Sequence, residues 1–261
     1  MRILFIGDIV GKPGRVIIER QINSLQKKYN IDFTIANGEN AAGGKGINRK
    51  IFQELSNYGI DVITMGNHVW DRKEIFDIID SERRLLRPAN YPQGTPGLGW
   101  NIYSLDKETK IAVINLAGRI YLPSLNCPFQ VVDTILKEIK QITPIIIVDF
   151  HAEATSEKNA MGWYLDGRVS AVLGTHTHVQ TGDERLLKRG TAYITDVGMT
   201  GPRDSVLGID KDLIIKKFTT QLPVRFEIAA GDIQLNGVVL DIDQSGRVSS
   251  IQRVQSILEC Y

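Results

Sequence analysis

Residues 1–15 read MRILFIGDIVGKPGR, an apolar run that ends at Asp8 and is followed by a turn containing glycine and proline. The next segment, Val16–Tyr29, carries apolar residues at the spacing of one helix face. Those residues are Ile17, Ile18, Ile22 and Leu25. Because proline suits the first helical position, Pro13 is expected there. With the apolar run Phe33–Ala36 behind the helix, the stretch predicts a strand–helix–strand start of a parallel sheet.

Short apolar runs recur along the chain, and several are too continuously apolar for strands with one face in water. Such runs suit strands that are covered on both faces. The predicted strands are Ile3–Ile6, Phe33–Ala36, Val62–Met65, Ile111–Leu116, Ile145–Phe150, Val169–Leu173 and Ala192–Thr195. Further helices are predicted at Arg49–Tyr58, which ends at Gly59, and at Lys73–Leu85. The alternation predicts an α/β fold.

Two segments predict antiparallel pairing as well. Trp100–Leu116 contains two extended runs around a polar turn at 106–110, which is typical of a hairpin. Val224–Ala230 and Ile233–Ile242 meet at a glycine turn, and a last run follows residues 244–246, which favours a meander. The sequence therefore predicts two packed, mixed sheets with helices outside. The loop-like stretch Arg87–Gly99 shows no change of composition across it, so one domain spanning residues 1–261 is expected.

The composition of the chain argues against several classes of function. Lys and Arg number 31 and Asp and Glu number 30, so the net charge of +1 creates no overall field toward nucleic acid or acidic lipid. No apolar stretch approaches the roughly 20 residues of a membrane helix, and Asp8 interrupts the first run before a signal-peptide core could form. Cys127 and Cys260 form no paired motif and are expected to be thiols in a reducing compartment. The expected location is the cytoplasm.

Polar side chains follow five of the predicted strands. They are Asp8, Glu39, Asn67, His151 and the pair His176 and His178. Because ligands bind at the carboxyl ends of strands in α/β sheets, these side chains are expected to meet at one edge. Carboxylate, amide and imidazole groups together suit a metal site with oxygen and nitrogen ligands, without the thiolates of a structural zinc site.

All four histidines of the chain fall in these segments, the fourth being His68 beside Asn67. In extended backbone residues i and i+2 face the same side, so His176 and His178 are expected to reach adjacent metal positions. Asn67 and His68 are expected to point apart, which assigns Asn67 to the metal and His68 to the substrate.

Six motifs in order resemble one known family. They are GDIVGKPGR, NGENAAGGKG, GNHVWD, HAEATSEK, LDGRVSAVLGTHTH and TDVGMTG. The segments around Asp8, Gly66-Asn67-His68 and Gly174–His178 are similar to the calcineurin-like metallophosphoesterases. The full set resembles their YmdB-type branch from end to end. Two departures from the general superfamily pattern stand out: Val10 replaces a usual histidine, and Glu39-Asn40 follows Gly38 where an aspartate is usual.

The resemblance implies a four-layer αββα sandwich and hydrolysis of phosphodiesters, 2′,3′-cyclic nucleotides among them. It implies two divalent or trivalent metal ions, with iron or manganese expected. On the same basis Glu39 bridges both metals and Asn40 becomes a further ligand. A water activated by the two metals would attack phosphorus, and His68 would protonate the leaving oxygen.

Other interpretations stay open from the residues. A phosphomonoesterase such as a nucleotidase could use the same site, and so could a non-catalytic, nucleotide-sensing regulator. Lys12, Arg15 and Lys45 lie in glycine-rich segments and either contact substrate phosphate or remain in solvent; the P-loop spacing is not met. Asp71, Asp149 and Asp196 are candidates to orient ligands or are ordinary turn residues. The expected partner is a small phosphodiester, without membrane or stable nucleic-acid binding, and a homo-oligomer is left open.

Overall fold

The computed structural model describes residues 1–259. Its strands, numbered in chain order, are β1 (Arg2–Ile6), β2 (Asp8–Ile9), β3 (Phe33–Asn37), β4 (Val62–Thr64), β5 (Leu85–Leu86), β6 (Trp100–Ser104), β7 (Lys110–Ala117), β8 (Ile146–His151), β9 (Ala171–Thr175), β10 (Arg185–Leu186), β11 (Ala192–Ile194), β12 (Met199–Pro202), β13 (Ile233–Ile242) and β14 (Val248–Leu258). Its α-helices are α1 (Gly11–Tyr29), α2 (Arg49–Asn57), α3 (Pro128–Ile139), α4 (Thr155–Leu165) and α5 (Lys211–Thr220).

The strands form two mixed sheets. In the first, β1, β3, β4 and β5 run parallel side by side, and β13 pairs antiparallel with β1, β12 and β14. Strand β2 extends this sheet by pairing with β12. In the second, β7, β8, β9 and β11 are parallel, and β6 and β10 are antiparallel edges. The hairpin predicted within Trp100–Leu116 is present, and of the predicted meander the pairing of Ile233–Ile242 with the last run is present.

Successive side chains of each strand point to opposite faces of its sheet, and this explains how the layers pack. Ile3 and Phe5 pack between the two sheets, whereas Leu4 and Ile6 pack with α1 and α2 on the other face of the first sheet. This follows from the two-residue period of a strand and explains why the run is apolar at every position. Helices α3 and α4 cover the far face of the second sheet, where Phe150 is buried. The order helix, sheet, sheet, helix confirms the four-layer αββα architecture.

Helix α1 begins at Gly11, so Pro13 is the third helical residue rather than the first. A proline is tolerated there because the first-turn N–H groups have no acceptor within the helix. Helix α2 matches the sequence closely. Its preceding residue, Asn48, accepts a hydrogen bond from the N–H of Ile51 and so caps the first turn.

The predicted helix Lys73–Leu85 is wrong. A 3₁₀ helix covers only Lys73–Asp77, and the chain then turns. Asp80 accepts a hydrogen bond from the N–H of Gly97, and Leu85 pairs with Ile63 of β4. The chain is therefore tied to the segment around Gly97 and to β4 where the helix was predicted to continue.

The predicted strand Val224–Ala230 is also wrong. Helix α5 precedes it, and within residues 221–232 only Ile228 forms a bridge, with Ile209. Strand β13 pairs along both edges with other strands, so no edge is left for this segment.

Helices α3, α4 and α5 lie in regions for which no helix bounds were predicted from the sequence. Cys127 is a free, partly buried thiol, and Cys260 lies outside the described residues. Within residues 1–259, no helix is long and apolar enough to cross a bilayer.

Candidate metal centre

The expected metal ligands emerge from neighbouring strands at one end of the two sheets. Asp8 begins β2 directly after β1, Glu39 follows β3, and Asn67 follows β4. His151 closes β8, and His176 comes directly after β9. Parallel strands present their carboxyl ends together, so this edge collects polar groups from both sheets.

The centre of the cluster is the Nε2 atom of His151. It lies 3.1 Å from Glu39 Oε1, 3.0 Å from Asn67 Oδ1 and 3.0 Å from His176 Nδ1. The ligand atoms of Glu39, His151 and His176 all lie within 4.8 Å of one another. A single proton on Nε2 can serve only one of the three neighbouring acceptors. A cation placed among them would satisfy all of these lone pairs.

The other ring nitrogen of His151, Nδ1, belongs to a buried chain of hydrogen bonds. His151 Nδ1 lies 2.9 Å from the hydroxyl of Thr175, which donates to Asp149 at 2.7 Å. Because that hydroxyl proton points to Asp149, the Thr175 oxygen is free to accept from Nδ1–H. In the neutral ring, this arrangement places the proton on Nδ1 and leaves the Nε2 lone pair facing the cluster, as metal-bound histidines require. Asp149 therefore orients His151 through Thr175 rather than capping a turn.

Two of the expected ligand residues each have a buried oxygen without a hydrogen-bond partner. Asp8 Oδ2 accepts a hydrogen bond from the His176 N–H at 3.1 Å, but Asp8 Oδ1 has no hydrogen-bond partner. Asn40 donates from Nδ2 to the Gly44 carbonyl at 2.9 Å, and its buried Oδ1 is likewise unpartnered. Buried oxygens without partners are costly unless a cation binds them. The residues present thus fit a metal centre with nitrogen and oxygen ligands.

The pKa shifts of the clustered side chains also show that a positive charge is favoured at the centre of the cluster. Burial opposes the charge on His151, but Glu39 and Asp8 outweigh it and raise the pKa of His151 to about 9. Burial also opposes the charge on Glu39, yet the neighbouring His151 lowers the pKa of Glu39 to about 2. Burial together with His151 lowers the pKa of His176 to about 3, which keeps that ring neutral and able to bind a metal.

The extended geometry predicted for His176 and His178 is wrong. Strand β9 ends at Thr175, and the two histidines have φ angles of 101° and 67°. Such left-handed backbone is rare for residues with a side chain and concentrates at functional sites. His176 faces His151, and its Nε2 lies 2.8 Å from Glu153 Oε2. His178 Nδ1 lies 3.1 Å from the carbonyl of Leu207, which leaves Nε2 as its free nitrogen.

The side chains of Asn67 and His68 have different partners. Asn67 Oδ1 faces His151, whereas His68 Nδ1 lies 2.9 Å from Asp71 Oδ2. The N–H of His68 donates to Glu39 Oε2 at 3.1 Å, so its backbone adjoins the cluster while the ring stays partly exposed. His68 is therefore at the mouth of the centre.

A buried ion pair, which the sequence did not reveal, supports the histidine loop. Lys158 and Asp196 are both fully buried and in contact, and Lys158 Nζ also donates to the Thr175 carbonyl at 2.6 Å. Asp196 in turn accepts from the N–H of Thr177 at 3.0 Å. The pair thus holds the backbone on both sides of His176. Lys158 lies in the HAEATSEK motif and Asp196 in the TDVGMTG motif, but neither the burial nor the pairing of the two side chains could be foreseen from the sequence.

The cations near the glycine-rich segments have different environments. Arg15 binds Glu54 at 2.9 Å and the Ala41 carbonyl at 2.7 Å, so its guanidinium anchors the loop. Lys12 lies exposed in the first turn of α1. Lys45 Nζ is 3.9 Å from Asp71 Oδ2 and mostly exposed, beside the His68–Asp71 pair. Of the three, Lys45 is the one placed at the mouth of the centre.

Gly66 provides space for the cluster, and replacing it with alanine should empty the centre. A Cβ there would lie 2.3 Å from both Glu39 Oε2 and His151 Nε2. Those two side chains must then move apart, so we expect Gly66→Ala to lose bound metal in elemental analysis while its circular dichroism stays native. Gly182→Ala is the control, because its Cβ would meet nothing closer than 3.8 Å. Equal metal content in both variants would contradict this geometry.

Known proteins share both the sequence and the fold. A family model described as YmdB-like protein matches residues 4–254. The 2′,3′-cyclic-nucleotide 2′-phosphodiesterase of Bacillus subtilis (strain 168) is 58% identical over 255 residues, covering 97% of this chain and 96% of that protein.

Two solved structures superpose along nearly the whole chain. A hypothetical protein from Thermus thermophilus has a TM-score of 0.92 and 41% identity, covering 98% of this chain and 99% of its own. A structure titled as a novel phosphatase of Mycoplasma pneumoniae has a TM-score of 0.93 and 36% identity, covering 99% and 94%. The family match and the Bacillus relative confirm the resemblance seen in the motifs, and the chain belongs to the family of YmdB-like proteins.

Proposed function

We propose that the protein is a metal-dependent phosphodiesterase that hydrolyses 2′,3′-cyclic nucleotides. The observation that carries the proposal is the convergence of Glu39, Asn67 and His176 on His151 Nε2 at 3.0–3.1 Å. The Bacillus relative, whose name states this activity, supports the choice of substrate.

The full ligand set that we propose has seven members. They are Asp8, Glu39, Asn40, Asn67, His151, His176 and His178. Two metal ions held by them would polarise a phosphoryl oxygen and lower the pKa of a water molecule toward neutrality. Donors that mix carboxylate, amide and imidazole without thiolate suit iron or manganese, which are the metals we propose. Glu39, with one oxygen toward His151 and the other toward the N–H of His68, is the proposed bridging ligand.

His68 is the proposed general acid. Asp71 binds Nδ1 and so fixes the ring, and the opposite nitrogen, Nε2, is the atom that can carry the transferred proton. The new bond joins a water oxygen to phosphorus, the bond between phosphorus and O2′ breaks, and O2′ takes the proton from His68. The product of such a reaction is a nucleoside 3′-phosphate. Identifying the product of 2′,3′-cyclic AMP by chromatography tests this, since 2′-AMP as the main product would refute it.

Replacing His68 should make the rate depend on the leaving group. We expect His68→Ala to lose roughly 10²–10⁴-fold in kcat with 2′,3′-cyclic AMP, whose alkoxide leaving group needs a proton. The same variant should lose far less with bis(p-nitrophenyl) phosphate, because nitrophenolate leaves without one. Metal content should remain that of the wild type.

Asp71→Asn is the matched variant, because it keeps the size of the side chain but weakens the hold on Nδ1. It should show the same leaving-group pattern with a smaller loss. An equal loss on both substrates would show that His68 acts in binding or folding and not as the acid.

A further inference from the structure

A groove lies at the end of the second sheet that faces away from the metal centre. Its volume is about 760 Å³, and its lining includes Lys140, Arg168, Lys188, Arg189 and Arg247. These five residues define what we call the basic groove. They come from the end of α3, the segment after α4, the turn between β10 and β11, and the turn between β13 and β14.

All charged side chains that line the basic groove are positive. Arg168 is paired with Asp133, but no ion pair among residues 1–259 involves the other four cations. Of the 31 Lys and Arg side chains of the chain, five thus line one cavity that has no acidic lining residue. Such a field attracts a ligand with several negative charges.

Two carboxylates lie close by in sequence and accept hydrogen bonds from backbone N–H groups, and one of them, Asp243, also interacts electrostatically with Arg247. Asp166 accepts hydrogen bonds from the N–H of Arg189 at 3.0–3.1 Å. Asp243 accepts from the N–H groups of Ser245 and Arg247 at 2.8 and 3.1 Å. Both carboxylates therefore shape the turns that carry the cations, and neither lines the basic groove.

The floor of the basic groove is apolar. Ile146, Leu187 and Val248 lie at its base and are at most 6% exposed, and the apolar surface that a ligand can cover is that of Leu186, which is 41% exposed. A cavity of this size, with an apolar floor and a few polar groups at its rim, is typical of small-ligand sites. The preferred ligand thus combines a planar or apolar part with a highly charged part.

The basic groove is separate from the metal centre. Ile146 opens β8 and lines the groove, whereas His151 closes the same strand at the centre. At about 3.3 Å per residue, the five steps between them span roughly 16 Å. A small ligand in the basic groove would therefore not contact the metal ligands.

We propose that the basic groove binds a nucleoside polyphosphate, with the phosphates on the cations and the base against Leu186. Arginine forks and lysine ammonium groups both suit phosphate oxygens. This site goes beyond the proposed phosphodiesterase activity and does not depend on it.

Calorimetric titration of the metal-loaded protein with ATP, tripolyphosphate and adenosine tests the proposal. The expected order of affinity is ATP, then tripolyphosphate, then adenosine. Lys188→Glu/Arg247→Glu should weaken ATP binding by at least about tenfold, because two charge-assisted contacts are reversed. The control Lys27→Glu/Lys50→Glu makes the same change of net charge on exposed positions of α1 and α2 and should bind ATP as the wild type does.

A second set of measurements distinguishes ATP binding in the basic groove from ATP binding at the metal centre. Glu39→Gln should retain ATP binding, and Lys188→Glu/Arg247→Glu should retain hydrolysis of cyclic nucleotide, which also shows that it folds. Binding that disappears in Glu39→Gln and persists in the groove variant would overturn the proposal. So would equal weakening in the control variant, or tighter binding of a short single-stranded RNA than of ATP.

Discussion

Glu39→Gln is expected to abolish both metal binding and cyclic-nucleotide hydrolysis. Glu39 is 1% exposed, and its two carboxylate oxygens face His151 Nε2 and the N–H of His68. An amide keeps the shape but removes the negative charge that a cation needs. Metal activation contributes several kcal/mol to the transition state, so kcat/KM should fall by roughly 10³-fold or more.

Thermal unfolding gives a second measurement of the loss of metal binding in Glu39→Gln. A metal that binds only the folded state stabilises it by about 2.7 kcal/mol when its concentration is 100 times its Kd. Added manganese should therefore raise the Tm of the wild type and leave that of Glu39→Gln unchanged. The matched control is Glu138→Gln, which changes an exposed carboxylate on α3. Wild-type metal content in Glu39→Gln would show that the metal centre has been misplaced.

Lys158→Met is expected to be the most destabilising single change outside the apolar core. Lys158 is 1% exposed and contacts Asp196, which is completely buried. Removing the ammonium leaves the carboxylate without its counter-charge, and breaking a buried pair in this way costs about 3–5 kcal/mol. Urea denaturation in the presence of chelator measures this loss without a contribution from bound metal.

The control for Lys158→Met is an ion pair of similar length at the surface. Arg168 and Asp133 are in contact, but their side chains are 32% and 37% exposed. Exposed pairs contribute about 0–1 kcal/mol, so Arg168→Met should shift the denaturation midpoint only slightly. Equal shifts in the two variants would show that Lys158 does not act as a buried counter-charge.

The same pair has a consequence for the site. Lys158 donates to the carbonyl of Thr175, and Asp196 accepts from the N–H of Thr177, so both peptides around His176 depend on it. This offers a physical account of how the chain maintains left-handed backbone at His176 and His178. Two non-glycine residues in that conformation need strong local restraints.

Much of the fold could be predicted because the strand runs are distinct. Ile3–Ile6 and Ile145–Phe150 are apolar at nearly every position, and burial between a sheet and a helix layer explains this. Strands buried on both faces leave a strong signal in sequence. The residues that follow them then identify the edge of the sheet where the metal centre lies.

The errors arose where local pattern and tertiary pairing compete. The helix expected at Lys73–Leu85 has suitably spaced apolar residues, but Leu85 pairs with β4 instead. The strand expected at Val224–Ala230 finds no free edge, because β13 is already paired along both sides. A sequence pattern shows that a segment is apolar and does not show which edge remains available.

The candidate site was predictable in its residue types but not in its geometry. Strand ends and histidine content pointed to the members of the cluster, and the contacts of Glu39, Asn67, His151 and His176 agree with that expectation. The left-handed turns at His176 and His178 depend on long-range contacts such as that of Leu207, 29 residues away from His178. The complete ligand set and a single domain stay predictions.

The most direct test of metal-dependent hydrolysis is the rate of 2′,3′-cyclic AMP turnover by one protein sample in three states. These are the metal-loaded protein, the same protein after chelation with metal removal verified by elemental analysis, and the protein reloaded with manganese or iron. We predict turnover to 3′-AMP in the first state, its loss in the second and its recovery in the third. Unchanged turnover after complete metal removal would contradict a metal-dependent reaction at this centre.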